Sequence, residues 1–208
     1  VMGAGAVGMH AIQAAIRYGD EAVWHKMADI GATGVQVTAV DYDLTNHPDI
    51  MHKILMYTDI LVDATQRRDA SLPVVPNPWI AHLPAHAVIV DLSVDPYLLD
   101  NHPPVVRGVE GIPQGNLDHY TFFPDDPTWD DTVPAAIPSN HRRAVVSCYS
   151  WPGIHPEACM THYAHQLEPL MEVLLRKGYT DLNADGDYFE RALHRAKLDT
   201  FINLALQT

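Results

Sequence analysis

Three glycines at the start of the chain limit its fold more than any other feature. Gly3, Gly5 and Gly8, in VMGAGAVGMH, spell G-x-G-x-x-G. In a strand–turn–helix unit the first glycine allows the tight turn. The second lets the backbone come close to a pyrophosphate, and the third lets the helix pack near the strand. The helix that follows offers unpaired N–H groups, here in the first turn with Ala6 and Val7, and the positive end of its dipole. The spacing therefore predicts a dinucleotide-binding turn; a phosphate-free structural turn is the alternative it leaves open. Such a turn follows a buried parallel strand, yet only Val1 and Met2 precede Gly3.

The remaining chain alternates as that turn requires. Ala6 to Tyr18 predicts a helix ended by Gly19, and DEAVWHKMADIGATG continues with helical character to Gly31 or Gly34. VQVTAVDYD reads as a strand with an acidic end, HPDIMHKILMYTD as a helix, and DILVDAT, AVIVDLSVD and AVVSCY as short buried strands. NPWIAHLP is a short helix or turn. Pro156 to about Lys177 predicts a long helix capped by Gly178, and Asp187 to Leu206 a last one. Strands alternating with helices mean an α/β fold, Rossmann-type and doubly wound, with a mainly parallel sheet. Residues 96–143 differ. Prolines, glycines and the acidic patch PDDPTWDD predict an irregular excursion, either functional or a solvated acidic loop. We expect residues 1–154 to form a nucleotide-binding domain and 155–208 a set of C-terminal helices.

Composition narrows the partners. Of the 208 residues, 47% are hydrophobic, enough for a real core. The 26 acidic against 13 basic residues give a net charge of −13, which repels nucleic-acid phosphates and anionic membranes. No apolar run approaches the roughly 18 residues that a span needs. Neither a nucleic-acid partner nor membrane insertion is expected. Cys148 and Cys159 make no disulfide framework, which fits a reducing, cytoplasmic setting.

The second strand ends in Asp41. A carboxylate there can accept hydrogen bonds from the adenosine ribose hydroxyls and would repel a 2′-phosphate, which favours NAD over NADP. Asp41 lies 33 residues after Gly8, against a usual distance of about 20, so Glu21 to Ala32 reads as an insertion into the crossover, with Asp43 as the fallback. Thr65 and Gln66 follow the next strand, and Leu92 the one after it. All lie at the carboxyl edge, where open α/β sheets bind ligands.

Three stretches, in this order, resemble the alanine dehydrogenase and nicotinamide nucleotide transhydrogenase alpha-subunit family: VMGAGAVGMHAIQAA, PAHAVIVDLSVDPY and VVSCYSWPGIHPEACMTHYAHQLEPLMEVLLRKGY. The second is similar to the family's strand in which an aspartate follows a V-I-V-D run. The third is similar to its strand, Met-Pro-Gly turn and long helix, with Trp151 in the methionine position before Pro152 and Gly153, which implies a cofactor contact for Trp151. The resemblance implies a nucleotide domain inserted in a substrate domain, whose N-terminal segment carries the lysine and histidine that hold the substrate. This chain would then begin inside the first nucleotide-binding strand, partway through a longer protein, and turn over little substrate by itself.

The reaction implied is hydride transfer between NAD and an amino acid or 2-oxo acid, with Asp95 matching the family aspartate near the nicotinamide and substrate. A homo-oligomer is implied as well. Gln66, Arg67 and Arg68 depart from the family's small apolar residues; the arginines could meet a cofactor phosphate or a substrate carboxylate, or lie in a solvated loop. Two alternatives follow: a non-catalytic NAD-binding module of a transhydrogenase-like assembly, and a saccharopine dehydrogenase-like oxidoreductase whose dicarboxylate substrate would use the arginines. His155, Cys159 and His162, with His165 nearby, could share a helix face, but their order is not a standard zinc spacing. No metal is expected; Cys159 reads as buried beside the nicotinamide pocket.

Overall fold

The computed structural model describes residues 1–17, 21–31 and 34–198. The chain divides into two compact units, Val1–Trp151 and Pro152–Thr208.

In the first unit, the glycine turn leads into α1 (Ala6–Arg17), followed by α2 (Glu21–Asp29), α3 (Tyr42–Thr45) and α4 (Pro48–Leu55). Proline opens α4, where a missing N–H costs nothing. Its Met51 and Leu55, one turn apart, are buried. Then come β1 (Ile60–Asp63), α5 (Asn77–Ile80), β2 (Val88–Asp91), β3 (Thr121–Phe122), α6 (Trp129–Thr132) and β4 (Ala144–Ser147), and α7 (Trp151–Ile154) starts at the unit's last residue. The three buried apolar runs are thus the parallel strands. β1 pairs with β2 and β2 with β4, in a register that aligns Asp63, Asp91 and Ser147 at one edge. β3 closes the other side, antiparallel to β4.

The strand before the glycines is reduced to Met2. It forms one parallel rung with Asp63 on one side and one with Val40 on the other. The Met2 N–H donates to the Val62 carbonyl (2.8 Å) and the Gly3 N–H to that of Val40 (2.8 Å). VQVTAVDYD therefore does not form the extended strand expected of it. Val40 makes the bridge to Met2, its N–H donates to the Val1 carbonyl (3.0 Å) and the Val1 amino group donates to the Thr38 carbonyl (2.9 Å), while α3 already begins at Tyr42. Across the sheet the order is Val40, Met2, β1, β2, β4, β3. The chain leaves Met2 toward one side and comes back on the other. The order thus reverses between Met2 and β1, which is a topological switch point.

The excursion after Pro96 contains only β3 and α6 as regular elements, but it is not a solvated loop. Val109, Ile112, Phe122, Trp129 and Val133 join the core formed by Met2, Met51, Leu55, Leu61, Ile89 and Val145. The Trp129 indole donates to the Gly111 carbonyl (3.2 Å). The N–H groups of Val74 and Val75 both donate to the Gly108 carbonyl. Burial of these scattered apolar residues outweighs the polar composition between them.

The second unit holds α8 (Pro156–Lys177) and α9 (Tyr188–Arg195). Gly178 ends α8 at φ 71°, a conformation glycine takes without steric cost. Asp187 caps α9 by accepting the Glu190 N–H at 2.9 Å. α9 ends at Arg195 with Ala196 as its cap, short of the expected run to Leu206, and residues beyond Leu198 lie outside the described residues, as do Tyr18, Gly19 and Ala32.

Candidate functional site

A cleft of about 420 Å³ opens at the switch point, lined on one side by Gly5, Ala6 and Val7 and on the other by Ala64, Thr65, Gln66 and Arg67, with Leu92, Ser93 and Asp95 beyond. Its size is within the range of small-ligand sites. The loops after Met2, β1 and β2 therefore converge on one concavity.

The three glycines of the turn differ in what demands them. A Cβ at Gly3 would lie 2.5 Å from the Ala64 carbonyl oxygen, and its φ of 88° is one that side chains rarely adopt. A Cβ at Gly8 would run into the Gly3 carbonyl oxygen. The packing of the protein itself accounts for both. At Gly5 a Cβ would meet nothing within 4 Å, and no positive φ is needed. Nothing in the fold requires glycine there, while the open space faces the cleft. That is the arrangement a closely approaching ligand needs. α1 also has no acidic residue of its own in its first turn, where one would compete with a bound anion.

Asp41 sits against the glycine turn without lining the cleft. Its carboxylate accepts the N–H of Ala4 (3.3 Å) and, as the cap of α3, that of Tyr42 (2.8 Å). A carboxylate has lone pairs left after two such bonds. Asp43 lies exposed in the first turn of α3. Trp151 is not a lining residue: its indole donates to the Asp91 carbonyl at 3.0 Å and supports the end of β2. Thr65 lines the cleft, but its hydroxyl and N–H donate to Asp63 Oδ1 at 2.7 and 3.0 Å.

Below the cleft lies a buried ionic layer. Asp63 and Asp91 are almost wholly buried, as is Arg107 from the excursion. Burial pushes the Asp63 carboxyl above its ordinary range, against the bonds from Thr65 and Ser93 and the charge of Arg67. Arg107 donates to Asp91 and, at 2.8 Å, to the Ser147 hydroxyl; burial lowers its pKa to about 10. Gly108 is bare because a Cβ would strike the Asp63 carboxylate. Two V-D endings at one register were the signal for Asp63. For Arg107, a lone arginine in VVRGV, there was none.

The arginines of the Gln66–Arg68 departure part company. Gln66 is exposed at the cleft. Arg68 is exposed, with its guanidinium 5.9 Å from the centre of the Tyr42 ring. Arg67 is not in a solvated loop: its side chain is 6% exposed and pairs with Asp95 at 2.8 Å. Among the described residues no group of three His, Cys, Asp or Glu could hold a metal. Cys159 is half-buried, not buried as expected. No helix among the described residues is long and apolar enough to cross a membrane.

No family model matches the chain, and no curated protein does. A solved structure of an L-alanine dehydrogenase does: 18% identity, a TM-score of 0.52, and coverage of 88% of this chain and 45% of its own. The chain thus spans less than half the length of that structure. The likeness establishes a Rossmann-like α/β fold, in accord with the mostly parallel sheet.

Proposed function

We propose that the chain is the NAD-binding portion of an amino-acid dehydrogenase of the alanine dehydrogenase type. The observation that carries this reading is Gly5: the one glycine of the turn that the fold does not need, beside open space in a switch-point cleft. The N–H groups of the first turn of α1 would hold the pyrophosphate. Asp41 would accept the adenosine ribose hydroxyls. Thr65, Gln66 and Leu92 would form the opposite wall, leading to Asp95 at the nicotinamide end. NAD, when bound, supplies the hydride acceptor; the protein binds and orients it. The substrate would be an amino acid or 2-oxo acid.

No lysine or histidine lines the cleft among the described residues, so the chain alone is expected to bind cofactor without robust amino-acid turnover. A saccharopine dehydrogenase-like reading drew on two free arginines; with Arg67 paired inside the protein, it rests on Arg68. The module reading remains the competitor, and amino-acid oxidation by a longer chain would exclude it. Association into a homo-oligomer belongs to the same proposal. Calorimetric titration with NAD and NADP tests the cofactor assignment: NAD should bind at least about tenfold more tightly, given a carboxylate facing the 2′-position. Equal affinities would remove Asp41 from the ribose.

A further inference from the structure

The loop between β2 and the excursion is strained, yet it delivers Asp95 to the cleft. Val94 has φ 54°, a left-handed conformation that is an outlier for a β-branched residue. Such a geometry persists only when its surroundings hold it. At its start, Asp91 Oδ1 accepts the N–H groups of Ser93 (3.1 Å) and Val94 (3.0 Å). At its end, the ion pair with Arg67 holds Asp95.

Arg67 is well placed for that task. Its Nη1 donates to the carbonyls of Ala70 (3.2 Å) and Leu72 (2.8 Å), and its Nη2 to the Val106 carbonyl as well as to Asp95 Oδ2. These acceptors come from three segments: the loop after β1, the Asp95 loop and the excursion. Both Nη atoms are spent on the protein and the Nε is buried without a partner, whereas the Asp95 side chain keeps 33% exposure at the cleft. A residue meant to receive a phosphate or a carboxylate would have the opposite arrangement, with free donors facing the cleft.

The geometry points to Arg67 as a positioning residue that holds Asp95 against the cleft for a ligand hydroxyl or ammonium group to meet. This role deepens the dehydrogenase reading and rests on it for the identity of the ligand. The holding of the loop itself needs no ligand.

Hydrogen exchange and NADH titration on the full chain, comparing wild type with Arg67→Met, Arg67→Lys, Asp95→Ala and the double variant Arg67→Met/Asp95→Ala, separate the two claims. Without ligand, both Arg67→Met and Asp95→Ala should raise exchange over residues 92–95 by on the order of tenfold. Only Arg67→Met should loosen residues 69–72 as well, because only it loses the Ala70 and Leu72 carbonyls. Arg67→Lys should recover part of the protection at 92–95. With NADH, the double variant should bind as weakly as Asp95→Ala alone, since Arg67 acts through Asp95. Unchanged exchange at 92–95 in Arg67→Met, or additive losses of affinity, would overturn the inference. If wild type binds no NADH, the dehydrogenase reading falls, while the exchange data still decide whether Arg67 holds the loop. Should Arg67→Met fail to fold, Arg67→Lys and Asp95→Ala carry the comparison, and wild-type exchange at 92–95 in both overturns it.

Discussion

Gly8 and Gly5 stand three residues apart in one turn and answer to different demands. A Cβ at Gly8 collides with backbone, which has no rotamer to yield. Gly8→Ala should therefore destabilise the chain by about 1–3 kcal/mol, read as a lower thermal midpoint with or without cofactor. Asp41 also has two tasks, capping α3 and meeting the ribose. Asp41→Asn keeps an oxygen for the Tyr42 N–H but loses the charge. It should leave the melting temperature nearly unchanged while narrowing the preference for NAD over NADP by about tenfold. A parallel loss of stability and of both affinities would mean that Asp41 only caps.

Among the elements, the α8–α9 junction has the clearest pH signature. Glu190 is 2% exposed. Both of its carboxylate oxygens accept from Lys177 Nζ at 2.7 Å, and one also accepts the Asn183 N–H at 2.8 Å. The bond with Lys177, first, and that with Asn183 hold its pKa below the ordinary 4.5. A carboxylate with a depressed folded pKa stabilises the fold above its unfolded pKa, and that contribution disappears as the pH falls through the folded value. Glu190→Gln should thus be less stable than wild type near neutrality, and the gap should close as the pH drops below 4.5. Thermal melts at the helical band from pH 6 down to pH 3 measure it; a pH-independent gap would assign the loss to packing. The elements also show what a sequence can disclose. Local signals placed α1, β1, β2, β4 and the start and end of α8, because an apolar run between breakers needs no knowledge of its neighbours. The second strand misled, since pairing with another segment, which its own alternation does not encode, decides where a strand forms, and only Val40 of it bridges to Met2 before α3 begins at Tyr42. The excursion misled for a related reason: Trp129 and Ile112 are buried by residues far from them in the chain, which composition cannot convey. At the site, the glycines and the strand ends were legible as local motifs, whereas the Arg67–Asp95 and Arg107–Asp91 pairs exist only after folding brings 28 and 16 residues of separation together.

At the scale of the whole molecule, α8 exposes Met160, Tyr163, Leu167, Met171 and Leu175 at intervals of three and four residues, one apolar stripe along a 22-residue helix. The occupant we expect is a second copy of the chain, since a stripe of this spacing suits the same stripe on a two-fold related helix. Light scattering at micromolar concentration should show a dimer or larger assembly, and Leu167→Glu with Met171→Glu should dissolve it while NAD binding persists; a wild-type monomer would contradict the assignment. The central claim is that the switch-point cleft receives a dinucleotide over Gly5. Titration of NADH into wild type and Gly5→Val, followed by calorimetry on samples whose melting temperatures have been matched, tests it most directly. Wild type should bind saturably and, with the fold intact because the new side chain meets no protein atom at its Cβ, Gly5→Val should lose at least about a hundredfold in affinity, as expected when a side chain fills the space of the pyrophosphate. Wild type without binding, or Gly5→Val binding as well as wild type, would contradict it.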